Sequence, residues 1–226
     1  MASSTLSSLQ LRVLSALVLL PVAVAAVWFG GQAFIMLIAL AGALMLWEWW
    51  RMPYQAETSP AWTRGPFWSL LGLFYVIPPC LALVWLRDTP EQGRHIVFWI
   101  FCAVWATDTG AYFAGRTIGG PKVIPRISPN KTWAGLLGGM VSAGIAGGVV
   151  ASFDPAMPAL ALAALVAVVS QAGDFTESAV KRYFGVKDSS QLIPGHGGVL
   201  DRLDGLLFAA PFVAVCDLLS GRMLWG

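Results

Sequence analysis

The stretch from Gln171 to Asp204 gathers side chains of the kinds that bind phosphate groups or metal ions. It holds five of the chain's twelve carboxylates, together with two lysines and two arginines. It also lies between two segments that are apolar enough to cross a bilayer. Because a carboxylate at membrane depth costs free energy, such a cluster is by default the hypothesis of a functional site. Phosphate or metal-ion chemistry at a membrane surface would explain it.

The first helical spacing in this stretch begins at Asp174. Asp174, Ser178 and Lys181 follow one another at i, i+4 and i+7, so they share one face of a helix, with Glu177 beside them. This helix is predicted to leave the membrane through Lys181 and Arg182. One helix face therefore presents a carboxylate, a hydroxyl and an ammonium group to the same region.

A second helix is predicted to begin near Leu200, with Asp201 and Asp204 on one face of its first turns. Together with Asp174 they would form a cage of hard oxygen atoms. Magnesium prefers such carboxylates, combined with water and substrate phosphates. The alternative is a set of buried salt bridges, which is an expensive way to make a scaffold, between these acids and Lys181, Arg182 and Arg202.

The polar loop between these two helices carries further candidates. Lys187 and Asp188 come first, and His196-Gly197-Gly198 follows. The two glycines would let the backbone approach a ligand closely. A histidine between glycines can be an ordinary loop residue, but the acidic neighbours of His196 favour a phosphate or proton role. Metal binding by His196 is disfavoured, because no second histidine lies at a suitable spacing.

An earlier loop, spanning residues 106–135, also suits phosphate. Ser128-Pro129 predicts a helix N-cap followed by proline at the first helical position, with Lys131 in the first turn. The free N–H groups of that turn would make an anion site. Simple capping is the alternative for Ser128, and a topology charge is the alternative for Lys131. The candidate substrate contacts in this loop are Asp108, Tyr112, Ser128, Lys131 and Thr132.

The composition indicates an integral membrane protein. The 226 residues are 57% hydrophobic and only 12% charged, whereas soluble domains carry about 25% charged residues. The net charge of +2 gives no sign of a nucleic-acid partner. Seven apolar runs, each near the length of about 20 residues that spans a bilayer, predict an all-α, polytopic helical bundle with about seven transmembrane helices. The runs cover 13–29, 32–50, 67–86, 96–115, 132–152, 157–179 and 202–220.

The connections and basic residues predict the topology. Residues 30–31 form a tight Gly-Gly hairpin, although the first two runs could instead make a shallow re-entrant pair. With an N-terminus in the cytoplasm, eleven of the fourteen basic residues face the cytoplasm, as expected from the positive-inside rule. Arg87, Arg94 and Arg222 face outward. We divide the chain into N-terminal transmembrane helices, residues 1–94, and a catalytic transmembrane region with two cytoplasmic loops, residues 95–226.

Two other acids in the apolar runs are interpreted as lying outside the site. Glu48 precedes Trp49-Trp50-Arg51 at a helix end, which favours an interfacial ion pair. Asp217 lies near the outer end of the last helix, where we expect it to meet water.

The run from Ser178 to Asp204 closely resembles the signature of the phosphatidate cytidylyltransferase, or CDP-diacylglycerol synthase, family. The segments GDxxES, SPNKTWAG and DTGAYFAGR also look like that family, so the resemblance covers roughly the C-terminal half from Asp108 onward. Ala134 departs from the pattern, because many members have an acid or amide there. The signature positions, all at the family spacing, are Ser178, Lys181-Arg182, Lys187-Asp188, His196-Gly197-Gly198 and Asp201-Arg202-x-Asp204.

The resemblance implies the reaction of CTP with phosphatidic acid to give CDP-diacylglycerol and pyrophosphate. It implies a Mg²⁺ requirement met through Asp174 and Asp201, while Asp204 would bind a second cation such as K⁺ or orient the first ligands. Lys181 would join these three acids in catalysis, and the other signature and loop residues would contact substrate. It further implies membrane lipids as partners, a homodimer, and a bacterial inner membrane with the active site facing the cytoplasm.

Three other functions stay open from the sequence. The chain could transfer CMP to another lipid phosphate. A lipid-alcohol kinase is a further possibility, whereas a CDP-alcohol phosphotransferase would need a DG…AR…G…D…D pattern that the sequence lacks. A polytopic transporter would place acids near mid-span and show inverted repeats. Here the acids cluster at helix ends and loops.

Overall fold

A chain of α-helices forms the fold, in agreement with the all-α prediction. A computed structural model describes residues 8–56, 59–153 and 160–220. Each predicted apolar run corresponds to one helix, although the predicted start of the sixth run at residue 157 and the predicted outward Arg222 lie outside the described residues. The helices are α1 (Ser8–Phe29), α2 (Gly31–Gln55), α3 (Pro66–Arg87), α4 (Gly93–Thr117), α5 (Trp133–Phe153), α6 (Leu160–Tyr183) and α7 (Leu200–Leu219), with a 3-10 turn at Ala61–Arg64.

Five of the helices in the described part of the chain, α2 to α6, are long and apolar enough to span a membrane. The apolar part of α1, Val13–Phe29, is shorter. In α7, three acids and one arginine interrupt the apolar pattern over 20 residues. The structure therefore confirms the multi-pass helical bundle, and it separates α7 as a helix that carries polar chemistry.

The α1–α2 connection is the predicted tight glycine hairpin. Gly30 and Gly31 both have positive φ angles, 64° and 53°. Glycine adopts such angles readily because it has no Cβ atom. The hairpin lies at the same end of the bundle as the end of α3, because the Arg87 Nε donates a hydrogen bond to the Val27 carbonyl at 2.7 Å.

Helices α4 and α5 pack most closely, and glycines make this possible. A Cβ atom on Gly138 would collide with the Cβ of Ala114, and one on Gly135 would lie 2.9 Å from the Ala111 carbonyl oxygen. Small residues let helix backbones approach in a membrane, where packing replaces the hydrophobic effect as the driving force. The glycines at the start of α5 therefore serve close helix packing.

Aromatic side chains join α2 and α3. The Trp49 and Trp68 rings stack with centroids 4.3 Å apart. Each indole N–H donates to the other residue's carbonyl, at 3.0 and 3.1 Å. Phe184 and Leu200 pack into the same buried cluster. The end of α2 is thereby held against the beginning of α7.

One end of the bundle collects the two polar loops and the signature residues singled out in the sequence, and we name it the site end. Helices α2, α4 and α6 finish there, and α3, α5 and α7 begin there, as alternating helices require. Glu48 of α2 contacts Val199 and Leu200 at the start of α7, and Lys131, two residues before α5, contacts α6. The two polar loops therefore meet at the site end.

Candidate active site

The first group of polar side chains at the site end lies between α4, α5, α6 and α7, and we name it the carboxylate cluster. Its central contact is an ion pair between the Lys131 ammonium and the Asp174 Oδ2. Lys131 also lies over the Phe175 ring, 4.6 Å from the centroid. The Ser178 hydroxyl donates to the Asp174 Oδ1 at 3.3 Å. The members of the carboxylate cluster are Asp108, Lys131, Asp174, Ser178 and Asp204.

The three acids of the carboxylate cluster act on one another as like charges. Asp204 experiences the negative charges of Asp174 and Asp108, and Asp108 experiences that of Asp174. Lys131 and Arg202 offset part of this repulsion at Asp108. Asp204 itself accepts a hydrogen bond at 2.8 Å from the N–H of its neighbour Gly205. An excess of negative charge at this position suits a cation.

The start of α5 corrects one prediction. The helix begins at Trp133 rather than at Pro129, so Ser128 is not its N-cap. Lys122 and Thr132 form a β-bridge, and this extended pairing keeps the preceding residues out of the helix. The cap is Thr132, whose Oγ1 accepts a hydrogen bond from the Gly135 N–H at 3.0 Å. Lys131 therefore precedes the helix and is free to reach across to α6.

The second group of polar side chains at the site end is buried around the start of α7, and we name it the α7 anchor. Lys181 forms ion pairs with Glu177 and, at 2.6 Å, with the Asp201 Oδ1. The other oxygen of Asp201, Oδ2, accepts hydrogen bonds from the N–H and the hydroxyl of Ser189, both at 2.9 Å. It also accepts one from the Gly198 N–H at 2.7 Å. The members of the α7 anchor are Glu48, Lys181, Ser189, Ser190 and Asp201.

Glu48 was interpreted as part of an interfacial pair, and this interpretation is wrong. Its side chain is fully buried, at 0% exposure. It accepts hydrogen bonds from the backbone N–H groups of Val199, at 2.9 Å, and Leu200, at 2.7 Å. It also accepts from the hydroxyl groups of Ser189, at 3.1 Å, and Ser190, at 2.7 Å. The reason is that the start of α7 packs against α2, and the first N–H groups of a helix have no partners within that helix.

The two glycines after His196 fit between carboxylates. A Cβ atom on Gly197 would lie 2.8 Å from the Asp201 Oδ2, and Gly197 has a φ of +88°. A Cβ on Gly198 would lie 2.6 Å from the Glu48 Oε1 and collide with the Ser189 hydroxyl. The close approach expected for a ligand is thus made to the protein's own side chains, and ligand contact by these glycines stays a prediction.

The structure leaves other predicted substrate contacts outside the two groups. The His196 Nδ1 lies 2.7 Å from the Ser15 hydroxyl of α1. The Tyr112 hydroxyl accepts from Arg116 at 2.6 Å. Arg182 donates to the Val186 carbonyl at 2.9 Å, and the Gln191 amide donates to Asp188 at 3.4 Å. Their side chains, with the exposed Lys187 and Arg202, surround the site end.

The predicted metal ligands differ in their availability. Among the described residues, no three histidine, cysteine or acidic side chains converge as a ready-made metal site. Asp174 and Asp204 fit Mg²⁺, because they repel each other and are only partly buried. The oxygens of Asp201 already accept four hydrogen bonds. Asp174 and Asp204 therefore keep more acceptor capacity for a cation than Asp201 does.

Sequence reasoning missed three residues that complete the α7 anchor: Glu48, Ser189 and Ser190. Glu48 carried a signal, because it is the one acid among the first 56 residues and lies in an apolar run. Ser189 and Ser190 lie inside the recognised signature but were not singled out. Asp217, expected to meet water, is fully buried at 0% exposure because that part of α7 lies inside the bundle.

The fold and the site define a class of protein: a multi-pass helical membrane protein whose acidic and basic side chains converge at one end, as phosphate chemistry requires. The chain belongs to the cytidylyltransferase family, whose model matches residues 10–71 and 61–219. It is accordingly a nucleotidyltransferase, and this membership decides against the transporter alternative.

The chain is similar along nearly its whole length to bacterial relatives. A phosphatidate cytidylyltransferase of Brucella suis is 38% identical and aligns with 91% of this chain and 92% of its own length. One of Rickettsia felis is 34% identical, covering 94% of this chain and 93% of the relative. One of Rickettsia typhi is 35% identical, covering 90% of each. The likeness thus includes the N-terminal helices as well as the signature.

Proposed function

We propose that the protein is a phosphatidate cytidylyltransferase, which transfers CMP from CTP to phosphatidic acid and releases pyrophosphate. One observation carries the proposal beyond the names of the relatives. The signature acids Asp174 and Asp204 lie in a single cluster with Lys131, which comes from a different loop. Such a cluster presents cations and cation ligands to two phosphate groups at once.

The reaction must bring two polyanions together, a cytosolic triphosphate and a lipid phosphate. Basic side chains reduce this repulsion and stabilise the charge that develops on the transferring phosphoryl group. Lys131 belongs to the carboxylate cluster, and Arg202 acts electrostatically on it. Arg182 and Lys187 are exposed and add positive charge at the surface of the site end. We assign the triphosphate to this side of the cluster.

The lipid phosphate supplies the nucleophile. One of its oxygens attacks the α-phosphorus of CTP in line with the bond to the β-phosphate. The new oxygen–phosphorus bond joins CMP to the lipid phosphate, and the α–β bridging bond breaks with its electron pair on the departing pyrophosphate. Because phosphatidic acid is already anionic at neutral pH, no strong general base is required. The residues therefore need to position and neutralise rather than to abstract a proton.

A magnesium requirement is part of this proposal. Asp174 and Asp204 would hold the ion, which would supply neutralisation of the triphosphate and of the pyrophosphate leaving group. Lys131, paired with Asp174, balances the carboxylate charge on the opposite side. Lys181 remains in its ion pair with Asp201, and Asp201 orients the start of α7. A second cation such as K⁺ stays a prediction.

An apolar groove beside the carboxylate cluster fits the acyl chains of the lipid. It has a volume of about 730 Å³ and lies along the α4–α5 seam, within the size range of about 300–1,000 Å³ typical of ligand pockets. Ala134, three residues after Lys131, lines the groove at the site end together with Ile118, whereas Thr109 lines it deeper in the bundle. A lipid phosphate at Lys131 would therefore direct its chains into this groove. Its other lining residues include Gly110, Phe113, Leu137, Gly138 and Val141.

We place the site end on the cytoplasmic side of a bacterial inner membrane, because CTP is cytosolic and the basic residues are concentrated on that side. The far end holds Arg87 and Arg94, two of the predicted outward residues, against the end of α1. The predicted homodimer, and the division of the chain at residue 94, stay predictions.

The proposal is tested with the purified protein in detergent–phosphatidate micelles. CTP labelled at the α-phosphate is compared with CTP labelled at the γ-phosphate. We expect α-label in the chloroform-soluble product and γ-label in released pyrophosphate. Replacing phosphatidic acid by another lipid phosphate, or by diacylglycerol, should reduce transfer strongly. Label from the γ-phosphate in the lipid would identify a kinase instead, and preference for another lipid phosphate would identify a different cytidylyltransferase.

A further inference from the structure

Glu48 connects the N-terminal helices to the active site. It lies in α2 and contacts residues that are more than 140 positions later in the chain. All four hydrogen bonds reach the loop before α7 or the first residues of α7. The four donors are the hydroxyls of Ser189 and Ser190 and the N–H groups of Val199 and Leu200.

The contacts of Glu48 complete the N-terminus of α7. An α-helix leaves its first N–H groups without intrahelical partners. The two Glu48 oxygens each accept from one backbone N–H and one serine hydroxyl. Its negative charge also interacts favourably with the positive end of the helix dipole. Glu48 therefore acts as an N-cap supplied by another helix, because Val199, the residue at the N-cap position of α7, has no capping side chain.

The position of Glu48 is transmitted to the catalytic acids over a short distance. Asp201 directly follows Leu200, and Asp204 lies one turn further along α7. The Ser189 hydroxyl lies between the two acids, 3.1 Å from the Glu48 Oε2 and 2.9 Å from the Asp201 Oδ2, and shares its single proton between them. Gly198 leaves no room for a side chain between Glu48 and Ser189. A shift of Glu48 would therefore move the start of α7 and, with it, the carboxylate of Asp204.

We propose that Glu48 is a positioning residue for nucleotidyl transfer: through four hydrogen bonds it fixes the start of α7, so that Asp204 meets Asp174 in the geometry that the reaction needs. Glu48 does not touch the substrate. The proposal rests on the proposed function, because it concerns the rate of that reaction. It assigns a catalytic requirement to a helix outside the signature.

The test is Glu48→Gln, assayed in purified, monodisperse protein. Glutamine has the same size but only one acceptor oxygen, so two of the four donors would face an NH₂ group. We expect kcat to fall by about 10- to 100-fold, because a small misplacement of reacting groups causes losses of this size. The KM for CTP should change by less than about threefold, because CTP binds at the basic side chains rather than at Glu48. A purely structural role would lower the amount of folded protein but leave kcat per folded molecule unchanged.

Asp217→Asn is the matched control, since Asp217 is equally buried but lies at the opposite end of α7. It should keep the wild-type kcat per folded molecule. If Glu48→Gln fails to fold, Ser190→Ala replaces it and removes one donor at 2.7 Å. We expect this variant to lower kcat by about threefold, which is the effect of one hydrogen bond.

Two outcomes overturn the proposal. The first is a kcat for Glu48→Gln, or for Ser190→Ala if that variant is used, equal to the wild-type value. The second is a loss in Glu48→Gln that Asp217→Asn matches. Absence of lipid-linked CMP with the wild-type protein would instead overturn the proposed function, and the role of Glu48 in it would fall as well. The wild-type assay therefore separates the two failures.

Discussion

The carboxylate cluster and the α7 anchor contain the same residue types, but their acids differ in hydrogen bonding. In the anchor, Glu48 and Asp201 each accept four hydrogen bonds. In the cluster, the described residues give Asp204 one hydrogen bond, from Gly205. Within the same described ranges, Asp174 accepts hydrogen bonds from Lys131 and, at 3.3 Å, from Ser178. Satisfied carboxylates fix structure, whereas carboxylates with spare acceptor capacity are available to a cation and a substrate.

The two groups are also connected through α7, and this connection explains why residues of the same signature occur in both. Asp201 and Asp204 are three residues apart on α7, yet one lies in the anchor and the other in the cluster. Lys181 contacts Asp201 and also acts electrostatically on Asp204. A rigid anchor therefore holds an electrostatically strained cluster in place.

Asp201→Asn should have the largest effect, because it disturbs the anchor and the cluster together. Lys181 would then form an ion pair with Glu177 alone. One carboxylate oxygen would be replaced by an NH₂ group, which cannot accept the hydrogen bonds that Ser189 and Gly198 donate. We expect a loss of about 3–5 kcal/mol in unfolding free energy, as for other broken buried ion pairs. Turnover should also be lost. Thermal unfolding in detergent and CTP incorporation measure the two effects; a variant with wild-type stability would show that the anchor is not structural.

Asp174→Asn should separate activity from stability. The Lys131–Asp174 pair is partly exposed, with side-chain exposures of 27% and 32%, so its loss should change stability by less than about 1 kcal/mol. Turnover should fall by at least about 100-fold, since Asp174 would hold the cation that stabilises the phosphate charge in the transition state. Asp88→Asn, an exposed acid at the end of α3, is the control and should behave as wild type. Comparable activity of the two variants would contradict the assignment of the cluster.

Lys131→Met should have a smaller effect, because other basic residues surround the site end. We expect kcat/KM to fall by about 10- to 100-fold through lost neutralisation of phosphate charge. Lys122→Met is the matched control in the same loop, where the Lys122 ammonium is exposed and only reaches the Asn130 carbonyl at 3.4 Å. Equal kinetic constants for the two variants would remove Lys131 from the site.

Val141→Trp should have the smallest effect. It tests whether a lipid bound at the carboxylate cluster places its acyl chains in the apolar groove. Val141 lines the groove and is 62% exposed. A larger ring would obstruct the acyl chains and raise the KM for long-chain phosphatidic acid by about 3- to 10-fold, while the KM for CTP stays constant. Ile145→Trp, one turn further and 59% exposed, is the control. The same KM in both variants would place the lipid elsewhere.

The sequence predicted the helices well because their signal is local. Each helix follows an apolar run, and the glycine hairpin at residues 30–31 needs no tertiary partner. The start of α5 was misplaced because Ser128-Pro129 is a valid local cap, whereas in the structure Ser128 ends a turn from Ile124 and Thr132 pairs with Lys122.

The carboxylate cluster was largely predictable, whereas the α7 anchor was not. Asp174, Asp204 and Lys131 were all predicted to contact a cation or a phosphate. Asp201 was predicted to join the same cage, whereas the structure places it in the α7 anchor. Glu48 meets Ser189 only through the packing of α2 against α7, and no local pattern encodes that contact. The lone acid in an apolar run was the available signal, and its partner could not be read from spacing.

The central claim is that the carboxylate cluster is the metal-dependent centre of CMP transfer. It is tested by following lipid-linked CMP formation against Mg²⁺ concentration for the wild-type protein and Asp204→Asn. We predict that the wild-type rate disappears in excess EDTA and returns with added Mg²⁺, whereas folded Asp204→Asn shows no transfer at any Mg²⁺ concentration. A wild-type rate that survives complete chelation, or an Asp204→Asn rate close to it, would contradict the account.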